Sequence, residues 1–171
     1  MKLIITNKFF SMSGASTVKD ELGNDVYKVN GKVFSFTNKK YVTDLNDNVL
    51  YIVRNKAINF ILNSAFVCDE QENIILKITR KFSFKSNYSI EGVHANYRID
   101  GDFWGWNFKI IKDDVEIGSI TRRFAFSDSF ILEVDNEADA PLLIAFVIAV
   151  DNISDKSENN SNSIHFHLHN D

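Results

Sequence analysis

The stretch Ala140–Ile153, A-P-L-L-I-A-F-V-I-A-V-D-N-I, most narrows what this chain can fold into. It is the one long uninterrupted apolar run, and at helical spacing its apolar side chains cover every face. A helix apolar all round is buried all round. Asp139 ahead of Pro141 supplies a start signal, a capping side chain before a proline in the first turn. Asp151 and Asn152 close the run. With about eleven apolar residues it is too short to cross a bilayer, which takes roughly 20. The rest of the chain must wrap it.

That remainder is repetitive. Lys8-Phe9-Phe10-Ser11-Met12 recurs as Lys32-Val33-Phe34-Ser35-Phe36, then as Lys56-Ala57-Ile58-Asn59-Phe60 and Arg80-Lys81-Phe82-Ser83-Phe84, each start 24 residues after the last. The next step falls on Trp104-Gly105-Trp106-Asn107-Phe108, where the rings persist and the basic residue is lost. A sixth copy, Arg122-Arg123-Phe124-Ala125-Phe126, follows after 18 residues. Polar segments separate the copies: Asp20-Glu21-Leu22-Gly23-Asn24, Asp44-Leu45-Asn46-Asp47-Asn48 and Asp69-Glu70-Gln71-Glu72-Asn73. Asp and Asn, with Gly where positive φ is needed, make the tight turns that join strands into hairpins.

Each unit reads as a long strand (Asp25–Phe36, Val49–Ile61, Ile74–Phe84) and a short one (Lys40–Asp44, Ala65–Asp69). Val, Ile, Phe, Tyr and Thr dominate, and no proline precedes Pro141. Six units predict about twelve antiparallel strands. A sheet that large curls, splits or closes, and closure removes its exposed edges. A barrel of that size is too wide for side chains alone to fill, and the apolar helix is the missing filler. The fold expected is mainly β with one α-helix: a closed antiparallel barrel of about 12 strands around a hydrophobic C-terminal helix. It should occupy residues 1–153, with the helix at about 140–153, followed by a polar, disordered tail over 154–171.

The tandem basic-x-Phe-Ser-Phe hairpins, the Asp-x-x-Gly-Asn turns and the terminal Pro-Leu-Leu-Ile-Ala-Phe-Val-Ile-Ala-Val-Asp helix resemble the LURP-one-related proteins of the tubby C-terminal-like superfamily. The resemblance covers Met1 to about Ile153 and implies a closed twelve-stranded barrel around a hydrophobic helix. Tubby proteins bind phosphoinositides and phospholipid scramblases share the superfamily, so it also implies lipid as a ligand class. It carries no functional residue across, because no lipid-binding motif of those relatives is matched.

Composition narrows the function. The net charge is −4, and the last eighteen residues, with three acids and one Lys, account for −2 of it. The near-neutral body argues against nucleic acid as a partner. A single cysteine, Cys68, leaves no internal disulfide and fits a reducing compartment. Met1–Phe10 lacks the long apolar region of a secretory signal. The expectation is a cytoplasmic protein, peripheral to a membrane if lipid is the ligand. No Gly-rich phosphate loop, G-x-S-x-G elbow, H-E-x-x-H or paired-Cys motif occurs, so neither an enzyme nor a cofactor is expected.

The basic residues of the repeat are the sharpest candidates for a site. Strand side chains alternate, so each shares a face with the apolar side chains, mostly Phe, two and four residues on. Lys8, Lys32, Lys56, Arg80 and Arg122 would then form a partial ring where the inward face meets water, suited to an anion or lipid headgroup. The plainer account is that their stems snorkel over the rings, or that they pair with rim acids and helix carbonyls. The Phe103-Trp104-Gly105-Trp106 segment falls on the repeat, so its rings should pack against the helix. In the tail, His165, His167 and His169 alternate and form a weak candidate metal site; an edge strand or partner-binding peptide accounts for them as well. Two readings stand: a lipid- or anion-binding module, or a structural barrel whose protein partner reads a loop or the tail.

Overall fold

A computed structural model describes residues 1–6, 15–31, 37–56, 64–81, 87–102, 105–123 and 129–167, the side chains of Thr6, Ala15, Lys81, Asn87 and 154–167 excepted. The strands are β1 (Lys2–Thr6), β2 (Ala15–Asp20), β3 (Asp25–Gly31), β4 (Lys40–Thr43), β5 (Val49–Asn55) and β6 (Ser64–Cys68). They continue as β7 (Ile74–Lys81), β8 (Asn87–Gly92), β9 (Tyr97–Asp102), β10 (Asn107–Lys112), β11 (Val115–Arg123) and β12 (Ser129–Val134). One helix, α1 (Ala140–His167), follows. The twelve strands form one antiparallel sheet in the order β8-β7-β6-β5-β4-β3-β2-β1-β12-β11-β10-β9. Consecutive strands are neighbours throughout, and β1 pairs with β12 to bring the chain round on itself. The barrel is nearly closed. Its two end strands lie side by side at the seam, where a Cβ on Gly92 would stand 2.7 Å from the Tyr97 ring.

The turns are built alike, as the repeat predicts. Oδ1 of Asp20 accepts the backbone N–H of Asn24 at 2.8 Å, and its Oδ2 accepts the Asn24 amide at 2.9 Å. Asp44 holds Asn48 and Asp69 holds Asn73 in the same two ways. The fourth residue of each turn has positive φ: Gly23 at 86°, Asp47 at 67° and Glu72 at 68°. Beside each turn the register slips by one residue, at Val18/Lys19, Val42/Thr43 and Val67/Cys68. A further slip falls at Ile110/Ile111, beside the turn at Asp113 and Asp114. Each leaves one residue unopposed (Val26, Leu50, Ile75 and Ile117). Bulges of this kind bend a strand and increase its twist, which favours closure.

Inside the barrel, Leu3, Ile5, Val18, Val29, Val42, Val53, Val67, Leu76, Ile78, Ile110, Ile120 and Leu132 point at the helix, all but fully buried. Every helix residue from Leu142 to Ile153 is buried. Full burial of one such aliphatic side chain contributes about 1.5–3 kcal/mol, so the axis of the barrel is its main source of stability.

Two details differ from expectation. The helix begins at Ala140, directly after Asp139, but an unforeseen 3-10 turn over Glu137–Asp139 leads into it, capped by Asn136, whose side chain accepts the Ala138 N–H at 3.1 Å. And the helix does not stop near Ile153; its backbone runs on to His167. No Gly or Pro follows Asp151 and Asn152, and extending a formed helix costs far less than starting one. Residues 168–171 lie outside the described residues.

Candidate functional site

The two ends of the barrel differ chemically. The turns at 20–24, 44–48, 69–73 and 113–114 lie at one end, the turn rim, together with Met1 and the start of α1. The other end, here the far rim, is where Thr6, Gly31, Asn55, Lys81, Asp102 and Arg123 end their strands. Helix α1 enters at the turn rim. Burial first, and then the charge of Asp139, push the Tyr51 and Tyr97 hydroxyls above their ordinary pKa, and burial followed by Glu137 does so for Tyr27. Asp151 and Asn152, eleven and twelve residues along α1, therefore arrive at the far rim.

The register fixes which basic side chains face inward there. Arg122 lies opposite Phe130, a core residue, and two residues from buried Ile120. Arg80 lies opposite Tyr88 and two residues from buried Ile78. Both are half-buried on the inward face, as the repeat places them. Lys56 is not. Tyr51, Val53 and Asn55 carry the inward phase of β5, so Lys56, just past its end, is out of phase and exposed. Lys8 and Lys32, like Trp104 and the repeat's Phe10, Met12, Phe34, Phe36, Phe60, Phe82, Phe84, Phe124 and Phe126, lie outside the described residues. The side chains of His165 and His167, and all of His169, lie outside them too. Trp106 packs into the core, its ring centroid 4.4 Å from that of Phe130.

Sequence reasoning missed Lys40. It opens β4 opposite Val53, two residues before inward Val42, and only 3 % of it is exposed. A period-2 reading of Lys40-Tyr41-Val42-Thr43 would have found it. Nearby, Asn152 accepts the Asn38 side-chain amide at 3.1 Å and returns a long bond to the Asn38 carbonyl at 3.5 Å. Asn55, opposite Ala65, is 1 % exposed, and neither end of its amide has a hydrogen-bond partner among the described residues. Asp151, 5 % exposed, shares this end; it, Lys40, Arg80 and Arg122 all engage neighbouring groups.

Apart from Lys39, whose ammonium reaches back to Glu72 of the 69–73 turn, the described far rim holds Lys40, Lys56, Arg80, Arg122 and Arg123 against Asp102 and Asp151. The turn rim is the reverse. Glu21, Glu70, Asp113, Asp135 and Glu137 stand there in no ion pair among the described residues, while Lys19 and Lys28 are held by Asp25 and Asp47. Charge is thus segregated along the barrel axis. Among the described residues no three His, Cys, Asp or Glu side chains converge as metal ligands, and no helix is long and apolar enough to cross a membrane.

Comparison with known proteins agrees with this architecture. A profile of the LURP-one-related family matches residues 1–151. The uncharacterised protein YxjI of Bacillus subtilis is 24 % identical over 163 residues, covering 94 % of this chain and 98 % of its own. The X-ray structure of an Arabidopsis thaliana protein superposes with a TM-score of 0.65 at 16 % identity, over 90 % of each chain. That structural likeness is one of fold.

Proposed function

The chain belongs to the LURP-one-related family, and from that premise we propose a non-enzymatic binding module whose far rim meets anionic groups, lipid headgroups at a membrane face foremost. The observation that supports this reading is the axial segregation of charge: five basic residues against two acids at the far rim, with acids in excess at the other. A body with little net charge is drawn only weakly to an anionic surface as a whole. A body with separated charge is oriented by it, and each Lys or Arg brought near such a surface contributes about 1 kcal/mol. Arg80 and Arg122 have their stems against the core and so reach the rim pre-positioned, which lowers the entropy lost on binding. Exposed Lys56 and Arg123 supply the outer charges.

Co-sedimentation with vesicles of graded anionic-lipid content, across a salt series, tests the reading. Binding should rise with anionic lipid, fade as salt screens it, and weaken in Lys56→Glu/Arg123→Glu, both exposed positions whose substitution leaves the core intact. Indifference to vesicles at low salt would abandon lipid and leave the barrel as a protein-interaction scaffold.

A further inference from the structure

The turn rim carries a second feature besides its acids. Among the described residues, six large apolar side chains are exposed: Met1 (39 %), Leu22 (84 %), Leu45 (47 %), Ile74 (39 %), Val93 (57 %) and Val115 (62 %). A single exposed aliphatic residue is ordinary. These six are not scattered. Leu22 and Leu45 sit in hairpin turns, Ile74 and Val115 directly follow turns, Val93 lies between β8 and β9, and Met1 is tied to Val134 beside the helix entrance. All six project at the same rim, and none of the exposed set lies on the barrel wall or at the far rim.

The turns hold these side chains in place. The Asp20 and Asp44 carboxylates each take two backbone N–H groups of their own turn, so Leu22 and Leu45 stand on closed, hydrogen-bonded loops. The 20–24, 44–48 and 69–73 turns follow one another two strands apart, about 10 Å at ordinary strand spacing. That is close to the rise of seven residues of α-helix. The 113–114 turn with Val115 stands four strands from the 20–24 turn, across β1 and β12. Between the apolar tips stand Glu21, Glu70 and Asp113, which enter no ion pair among the described residues.

Apolar anchors in an acidic surround define their complement. We propose that the turn rim is a docking surface for a cationic amphipathic helix of a protein partner, whose apolar side chains meet Leu22, Leu45 and Ile74, on the three consecutive turns, and whose Lys or Arg residues meet the neighbouring acids. A bare polycation would satisfy the charges and leave the aliphatic tips in water. An acidic or neutral helix would do the reverse. This surface is at the opposite end from the proposed anion-binding rim, so both can be occupied together.

The test is fluorescence anisotropy with the full chain and an 18-residue labelled Leu/Lys amphipathic peptide, alongside the same peptide with Leu replaced by Ser. Two rim variants probe the surface independently, Leu22→Ser/Leu45→Ser/Ile74→Ser and Glu21→Lys/Glu70→Lys, and Asn107→Asp, exposed at the far-rim start of β10, is the control. The Leu/Lys peptide should bind the parent at least tenfold more tightly than the Ser peptide. Each rim variant should weaken it at least tenfold, and Asn107→Asp should leave it unchanged. Equal affinity for the two peptides would reduce the surface to bare charge attraction and overturn the proposal, as would rim variants that bind like the parent, or no binding at all. Self-association of the chain in sedimentation that the rim variants abolish would also overturn it, by giving the rim to a second copy.

Discussion

The Asn38 side-chain amide donates to Oδ1 of Asn152 at 3.1 Å, joining the approach to β4 to the last buried turn of the helix 114 residues later. Asn152 is 1 % exposed, and Asn38 has a left-handed backbone with φ of 49°. Asn152→Ala should lower stability by about 1–3 kcal/mol, the cost of leaving a buried polar partner unmet. Asn38→Gly keeps the backbone and loses only the side chain, whereas Asn38→Ala adds about 1–2 kcal/mol of left-handed strain. Urea melts of the three variants would show that order, and equal losses for Gly and Ala at position 38 would contradict it.

The helix itself should tolerate little. Leu143 and Phe146 are each 1 % exposed, so Phe146→Ala should cost about 3–5 kcal/mol by cavity formation. Leu143→Asp or Phe146→Asp would bury an unpaired charge against a total stability of about 5–15 kcal/mol and should unfold the protein. The wall is as tight as the axis. A Cβ added at Gly118 would stand 2.6 Å from the Glu133 carbonyl oxygen and 2.7 Å from Leu143 Cδ1, so Gly118→Ala should cost about 1–3 kcal/mol by overpacking. An unchanged melting temperature in either Asp variant would sink the central-helix account.

How much of this was legible depends on how far each feature is set by local sequence. The hairpins were, because Asp and Asn at fixed offsets close the turns with their own side chains and need nothing distant. The helix was, because apolar residues on all its faces admit one environment. Its C-terminal limit was not, since Asp151 and Asn152 end the apolar run without supplying a stop. At the far rim, Arg80 and Arg122 followed from alternation, and Lys56 failed because the inward phase of β5 is carried by Tyr51, Val53 and Asn55. Lys40 was overlooked because it lies outside the 24-residue motif. The apolar tips of the turn rim were invisible as a group: Leu22, Leu45 and Val115 are far apart in sequence, and only closure of the sheet brings them to one end.

The three equivalent turns predict a common acid response. The Asn amides that donate to Asp20, Asp44 and Asp69 hold each carboxyl below its ordinary pKa, with backbone N–H groups adding to the effect and desolvation opposing it. A depressed folded pKa adds stability above the unfolded value of about 3.9. That contribution is lost as the pH falls through the folded values. Melting temperature should therefore drop below about pH 4. In Asp20→Asn/Asp44→Asn/Asp69→Asn the drop should be shallower, since three of the titrating groups are gone. Parallel curves for parent and variant between pH 2 and pH 5 would assign acid sensitivity elsewhere.

Cys68 should report on opening of the barrel wall. It is fully buried on the outer side of β6, opposite Ile52, while the Arg54 guanidinium lies 5.2 Å from the centre of the neighbouring Phe66 ring. Burial pushes the thiol above its ordinary pKa, and the nearby Arg54 only partly opposes it. A thiol both buried and protonated reacts with a disulfide reagent only through opening. Modification in buffer should thus be at least about a hundredfold slower than in urea, and Arg54→Ala should speed it, because burial outweighs the charge of Arg54 at this thiol and the substitution loosens the cover over β6. An equal or slower reaction in Arg54→Ala, or equal rates in buffer and urea, would contradict the account of Cys68 as a thiol guarded by packing.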